Sequence, residues 1–220
     1  MMVPDEPEPQ PSLDPAARLR LVAEQQARTQ AALAPDERLV FGAWGVAWSV
    51  GFGAIWLATS GRLPLPAWSA FTLFALLLVG AGVLTAVHAV RAGRGVAGSS
   101  ARTGAMYGWG WVLGFAMLPA VVLGAQRLGA PPEAAALLWP AVSALVVGLL
   151  YVAGAVAWDD PVQFAVGAWI MVTTGAGCLL GLPALYLVMC LAGGGGFLAA
   201  AAWFAVRRRR AGALRPAAQA

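Results

Sequence analysis

The chain has 220 residues, 60% of them hydrophobic and 11% charged, with a formal net charge of +4 and a mean hydropathy of +0.73. A water-soluble domain carries about 25% charged residues, so lipid is the solvent for most of this surface, and soluble enzymes and nucleic-acid binders are excluded. All 14 basic residues are arginine, which with the heavy use of alanine, glycine and proline marks a high-GC genome.

In chain order, residues 1–14 read as a disordered, acidic, proline-rich tail, because "MMVPDEPEPQPSLD" offers almost nothing to bury. Its composition is not that of a cleavable signal peptide, which would be basic and then apolar. Asp14 followed by Pro15 starts a helix, the aspartate as N-cap and the proline in the first turn. That helix covers 15–34 and is only weakly amphipathic. Pro35, Asp36 and Glu37 start the next one.

Six apolar stretches follow, at 39–59, 67–90, 104–124, 134–157, 162–180 and 184–206. Each is close to the roughly 20 residues that cross a bilayer. The pieces between them are short, so consecutive helices are antiparallel neighbours. The expected fold is all-α: a polytopic membrane protein with six transmembrane helices in a compact bundle, an N-terminal cytoplasmic helix and a basic cytoplasmic tail at 207–220. With six spans both termini share a side. That side collects twelve arginines and the other side two, Arg62 and Arg127. The positive-inside rule then puts both termini in the cytoplasm. Trp44, Trp48, Trp109, Trp111, Trp158 and Trp203 fall near the inner interface of this scheme, and Trp68 and Trp139 near the outer one. "FGAWGVAWSVGF" from Phe41 and "YGWGWVLGF" from Tyr107 hint at tandem hairpins.

Gly193, Gly194, Gly195 and Gly196 sit near mid-depth of the sixth span. Four glycines cost a helix in water about 4 kcal/mol relative to alanine. Releasing even one backbone hydrogen bond into hydrocarbon costs several kcal/mol. The helix is therefore expected to persist, with Ala192, Gly196 and Ala200 as a small-residue row for close packing. The alternatives are a hinge, or an unwound segment lining a binding cavity.

The charged groups between residues 41 and 206 are Arg62, Arg91, Arg94, Arg102, Arg127, Glu133, Asp159 and Asp160. All map to loops or helix ends, so no ionisable group marks a transport path or catalytic centre in the membrane core. No catalytic, metal or cofactor residues are assigned, and no cofactor is expected. His88 reads as an interfacial, hydrogen-bonded residue. Asp159 and Asp160 form an acidic turn that could contact a basic partner, though "DDP" also ends one helix and caps the next. Thr72, Thr85, Ser143, Thr173 and Thr174 suit hydrogen bonds between helices. Arg207, Arg208, Arg209 and Arg210 read as contacts to anionic lipid headgroups, worth about 1 kcal/mol each near the surface. Cys178 and Cys190 flank the turn "GLP" at depths differing by about 6 Å, which makes a disulfide between them unfavourable.

"RLRLVAEQQARTQAAL" from Arg18 and "LVFGAWGVAWSVGFGAIWL" from Leu39 resemble the front end of six-helix integral membrane proteins of high-GC bacteria. The likeness spans about residues 18–57. That group has no assigned activity, so the resemblance implies a cell-membrane location and topology without a chemistry. The expected function is that of a non-catalytic accessory, scaffold or sensor-partner protein, with residues 15–34 as a contact for a protein partner. The alternative is a small transporter or a permease subunit of the ABC-2 exporter kind, its 91–103 loop docking an ATPase. Beyond the bilayer and anionic lipid, no nucleic-acid partner is expected.

Overall fold

The computed structural model describes residues 14–21, 24–25, 36–92 and 99–214, in two units divided between Ala34 and Pro35. In the first, residues 15–21 and 24–25 are helical, and the Asp14 carbonyl accepts from the Arg18 N–H at 3.0 Å. The rest of the expected tail and 15–34 helix lies outside the described residues.

The second unit consists of α1 (Glu37–Thr59), α2 (Ala67–Ala92), α3 (Ser99–Arg127), α4 (Pro132–Trp158), α5 (Pro161–Leu180), α6 (Ala184–Val188), a π-helical turn (Met189–Gly193) and α7 (Gly194–Leu214). The last three run on as one rod, so six helical spans are long and apolar enough to cross a membrane. No strand occurs among the described residues. The fold is a bundle of transmembrane helices.

The helices overrun the apolar stretches that reveal them. α3 starts at Ser99 rather than 104, and α7 runs to Leu214, carrying Arg207–Arg210 as helix rather than as tail. Hydropathy marks only what fits in hydrocarbon, while backbone hydrogen bonding continues through the headgroup layer. The 29 residues of α3 make a rod of about 43 Å, close to the ~40–45 Å bilayer including headgroups. Stops are set by chemistry the chain announces. Gly181, at φ +74°, turns its N–H onto the carbonyls of Gly177 and Cys178 and ends α5.

α1 is the organising helix. It packs on α2, on the α6–π-turn rod and on α7, while α5 packs on α4 and on the rod. α2 leans on α1 and α3 leans on α4, and neither makes another substantial contact. The two hairpins suspected of repetition are therefore not equivalent: α1 opens the first and is central, whereas α3 opens the second and is peripheral. Trp48 departs from its expected interfacial place for the same reason. It lies eleven residues into α1, about 16 Å, and is buried in the core.

The core is aromatic. Phe197 of α7 sits edge-on to Trp48 of α1 at 5.1 Å and to Tyr151 of α4 at 5.9 Å, and meets Phe41 at 6.1 Å. Where α4 crosses α5, Gly148 and Gly167 bring the backbones together, and a Cβ on Gly167 would lie 2.8 Å from the Gly148 carbonyl oxygen.

Pro140 lies inside α4 and has no N–H for the carbonyl of Ala136. Tyr186 of α6 supplies the missing donor, its hydroxyl reaching that carbonyl at 3.3 Å. Tyr186→Phe is expected to lower stability by about 1 kcal/mol, the scale of an interhelical hydrogen bond in a membrane. Reversible unfolding in mixed micelles reads this difference, and an unchanged midpoint would leave the Ala136 carbonyl with no need of the tyrosine.

Candidate functional site

Three places hold the residues that sequence reasoning singled out, or that it missed. The first is the glycine run. The helix does not unwind there; it widens into the π-turn just before Gly194. Wider turns tilt carbonyls away from the axis, where they need other donors. Ser49 of α1 donates to the Cys190 carbonyl at 3.3 Å, and the indole N–H of Trp169 donates to that of Ala192 at 2.8 Å. Cys190 returns a bond from its Sγ to the Ser49 carbonyl at 3.1 Å. Both cysteines are free thiols.

Each glycine has its own surroundings. A Cβ on Gly193 would be 3.1 Å from the Trp48 ring, and one on Gly196 would be 2.5 Å from Cδ1 of Trp169. On Gly194 it would run into Ser49, side chain and backbone, while Gly195 has nothing within 4 Å. The close backbone approach to α1 is thus at Gly194, not along the Ala192, Gly196 and Ala200 row. Phe197 explains the shift: its anchoring among Phe41, Trp48 and Tyr151 fixes the rotation of α7, and the residue three before it shares that face. A Cβ on Gly193, Gly194 or Gly196 would meet a neighbouring helix, so these three line a packed seam.

The second place is the end of the bundle where α1 and α5 begin and α7 carries its arginines. Asp36 caps α1, accepting from the Arg38 N–H at 3.3 Å. It also pairs with the Arg38 guanidinium at 2.7 Å and with Arg208 at 3.4 Å. All four arginines from Arg207 to Arg210 are exposed along the helix, and Arg208 alone of them reaches an acid. Asp159 ends α4 in the left-handed region at φ 53°, and Asp160 caps α5, its Oδ1 accepting from the N–H groups of Val162 and Gln163. Asp160 and Arg207 both act electrostatically on Glu37, so the cluster joins α1, α5 and α7.

The hydrogen bond from the Arg38 side chain, with the positive charges of Arg38 and Arg208, holds the Asp36 carboxyl below its usual range. A depressed carboxylate stabilises the fold above its unfolded pKa, and that contribution is lost as pH falls through the lowered folded value. Acidification below the ordinary aspartate range should therefore loosen the start of α1. Asp36→Asn should abolish this acid-dependent part and cost about 1 kcal/mol or less at neutral pH. Thermal midpoints of both proteins, taken across the acid range, check the sign; parallel curves would refute it.

The third place is a cleft that hydropathy did not reveal. Because α2 and α3 stand apart, a cavity of about 510 Å³ opens between them. Trp44, Trp48, Phe52 and Ile55 of α1 form its floor with Ala144 and Val147 of α4, and Phe74 and Phe115 stand on its two walls. Ser143 is the single aliphatic hydroxyl in the lining and makes no hydrogen bond within the described chain.

The threonines singled out in the spans bond first within their own helices. Thr72, Thr85, Thr173 and Thr174 bond back to carbonyls one turn earlier in their own helices, as hydroxyls in helices commonly do. Only Thr85, accepting from Trp44 at 3.0 Å, and Thr174, reaching the Met189 sulfur at 3.3 Å, also bridge helices. Gln163, overlooked although it is a lone amide in an apolar span, donates to Tyr107, whose hydroxyl donates to the Leu150 carbonyl at 3.1 Å and ties α3 to α4. His88 Nδ1 is 3.1 Å from the Leu84 carbonyl of its own helix. Among the described residues, no three histidine, cysteine or acidic side chains converge as a metal site would require.

Together these features define a multi-pass α-helical membrane protein with an aromatic core and a lateral cleft. No family model, curated protein or solved structure matches the chain.

Proposed function

We propose that this protein is a non-catalytic accessory component of a bacterial cell membrane, with both termini cytoplasmic, acting through association within the bilayer and through its N-terminal helix. The observation that supports the reading most directly is how the interior is filled. Phe41, Trp48, Phe52, Tyr151, Tyr186 and Phe197 interlock at the centre, and the polar groups around them serve helix carbonyls and neighbouring helices. A path for a polar solute needs polar groups left free to replace its hydration shell, and most hydroxyls of this interior serve structure instead, the Ser143 hydroxyl in the cleft being an exception. The row Arg207–Arg210 supports the orientation through the positive-inside rule. The exporter alternative gains nothing from this interior, and residues 93–98 of its docking loop lie outside the described residues.

The test is purification in native nanodiscs, with mass spectrometry of what is retained, alongside solute flux in proteoliposomes. The accessory reading expects a stoichiometric membrane or cytoplasmic partner, lost when residues 15–34 are deleted, and flux no greater than in empty vesicles. A stoichiometric ATPase, or protein-dependent flux, would overturn it in favour of the permease.

A further inference from the structure

The cleft between α2 and α3 has the dimensions of one leaflet. Along its floor, Trp44 to Ile55 of α1 spans eleven residues, about 16 Å, against roughly 15 Å for half of a hydrocarbon core. Its walls are asymmetric in depth. On α2 the lining runs from Phe71 to Leu78, and on α4 from Ala136 to Val147, in each case the part nearer the helix start. Both helices start at the end of the bundle opposite Arg207–Arg210, so the cleft lies mainly in the half away from those arginines. A transmembrane helix from a partner would need a groove along the whole ~30 Å core; here the walls end at Leu78 on α2 and Val147 on α4, short of the arginine-bearing end, and only Trp44 of α1 carries the floor past the middle.

The end of the bundle where the cleft begins carries Arg62, in the turn between α1 and α2, and Arg127, the last residue of α3. Both are exposed, and neither forms an ion pair within the described chain. The Arg62 guanidinium sits 4.4 Å from the Trp56 ring centroid, which holds a cation at the level of the headgroups. Glu133, in the first turn of α4, is the acid at this end and pairs with neither arginine.

We infer that the cleft binds one anionic phospholipid of the leaflet facing away from Arg207–Arg210, an acyl chain lying between α2 and α3 and its phosphate drawn to Arg62 and Arg127. The apolar slot supplies chain affinity through packing against its aromatic walls, and the two cations without an ion pair supply headgroup preference.

The experiment uses the full chain reconstituted with spin-labelled phosphatidylglycerol or phosphatidylcholine, together with native mass spectrometry of the purified protein. One tightly held phosphatidylglycerol per chain is expected above the general lipid shell, retained about thirtyfold over phosphatidylcholine, given roughly 1 kcal/mol for each of two arginines near a headgroup. Ser143→Phe, which fills the slot, should lose that lipid. Arg62→Gln with Arg127→Gln, at exposed positions outside the packing, should keep a bound lipid but lose the preference for phosphatidylglycerol. Unchanged lipid retention in Ser143→Phe that still inserts would overturn the slot, and an unchanged preference in the double glutamine variant would overturn the headgroup contact. If a cysteine replacing Leu78 cross-links to a second polypeptide and no lipid is retained, the occupant is a protein helix and the inference fails.

Discussion

Replacing Gly194 by leucine is expected to cost the protein its fold before it affects any activity. A Cβ there would stand 2.7 Å from the backbone nitrogen of Ser49 and 3.0 Å from its Cα. Neither atom can rotate away as a side chain would, so α7 must move off α1. Overpacking in a well-packed core costs about 1–3 kcal/mol and occasionally more. This position belongs at the upper end, because the displacement also strains the Ser49–Cys190 bonds and pulls Phe197 from its ring contacts. Gly195→Leu is the matched control. It adds the same bulk one residue on, where nothing lies within 4 Å, and it gains about 1 kcal/mol of helix propensity. Monodisperse yield and the thermal midpoint in detergent should fall sharply for the first variant and hold for the second. Equal behaviour of the two would mean that the run acts through backbone flexibility rather than through contact.

Phe197→Ala should be the most damaging truncation in the core, costing about 2–3 kcal/mol. In water such a change loses both transfer energy and packing. Here the separated helices would lie in lipid, which is as apolar as the core, so only packing is lost. Phe197 meets three aromatic rings, on α1 and α4, and such pairs carry about 0.5–1.5 kcal/mol each. Phe197→Leu should recover part of the loss. Denaturation in mixed micelles measures both, and a loss below about 1 kcal/mol would show that the rings repack around the gap.

The spans were legible because bilayer thickness fixes their length and lipid fixes their composition, and the turns at Gly181 and Asp159–Asp160 because few residue types end or cap helices there. The persistence of a helix through Gly193–Gly196 followed from the cost of bare backbone in hydrocarbon. What could not be read was anything that depends on which helices meet. The π-turn rests on Ser49 and Trp169 arriving from two other helices to serve its carbonyls. Gly194 rather than Gly196 faces α1 because Phe197 sets the rotation. The cleft exists because α2 and α3, adjacent in sequence, each pack on a different neighbour. Residues on its floor and walls are as apolar as any lipid-facing residue, so hydropathy could not set them apart. Pro140 did carry a signal, since a proline within a span frees a carbonyl that some neighbour must satisfy, and Tyr186 is one of only three tyrosines available to do so.

The seam between α1 and α7 bears on how the chain is made. Ser49 and Cys190 are 141 positions apart, so the flank of α1 that they close emerges from the ribosome long before its partner. At roughly 5–20 residues per second, the interval is on the order of ten seconds or more. Throughout it the flank of α1 that carries Ser49 lacks the helix that closes it, although α2 and later α4 are already available to its other sides. A chain that stops before Cys190 therefore lacks both Ser49–Cys190 bonds, and its first helix is held to the bundle by fewer contacts than in the finished protein.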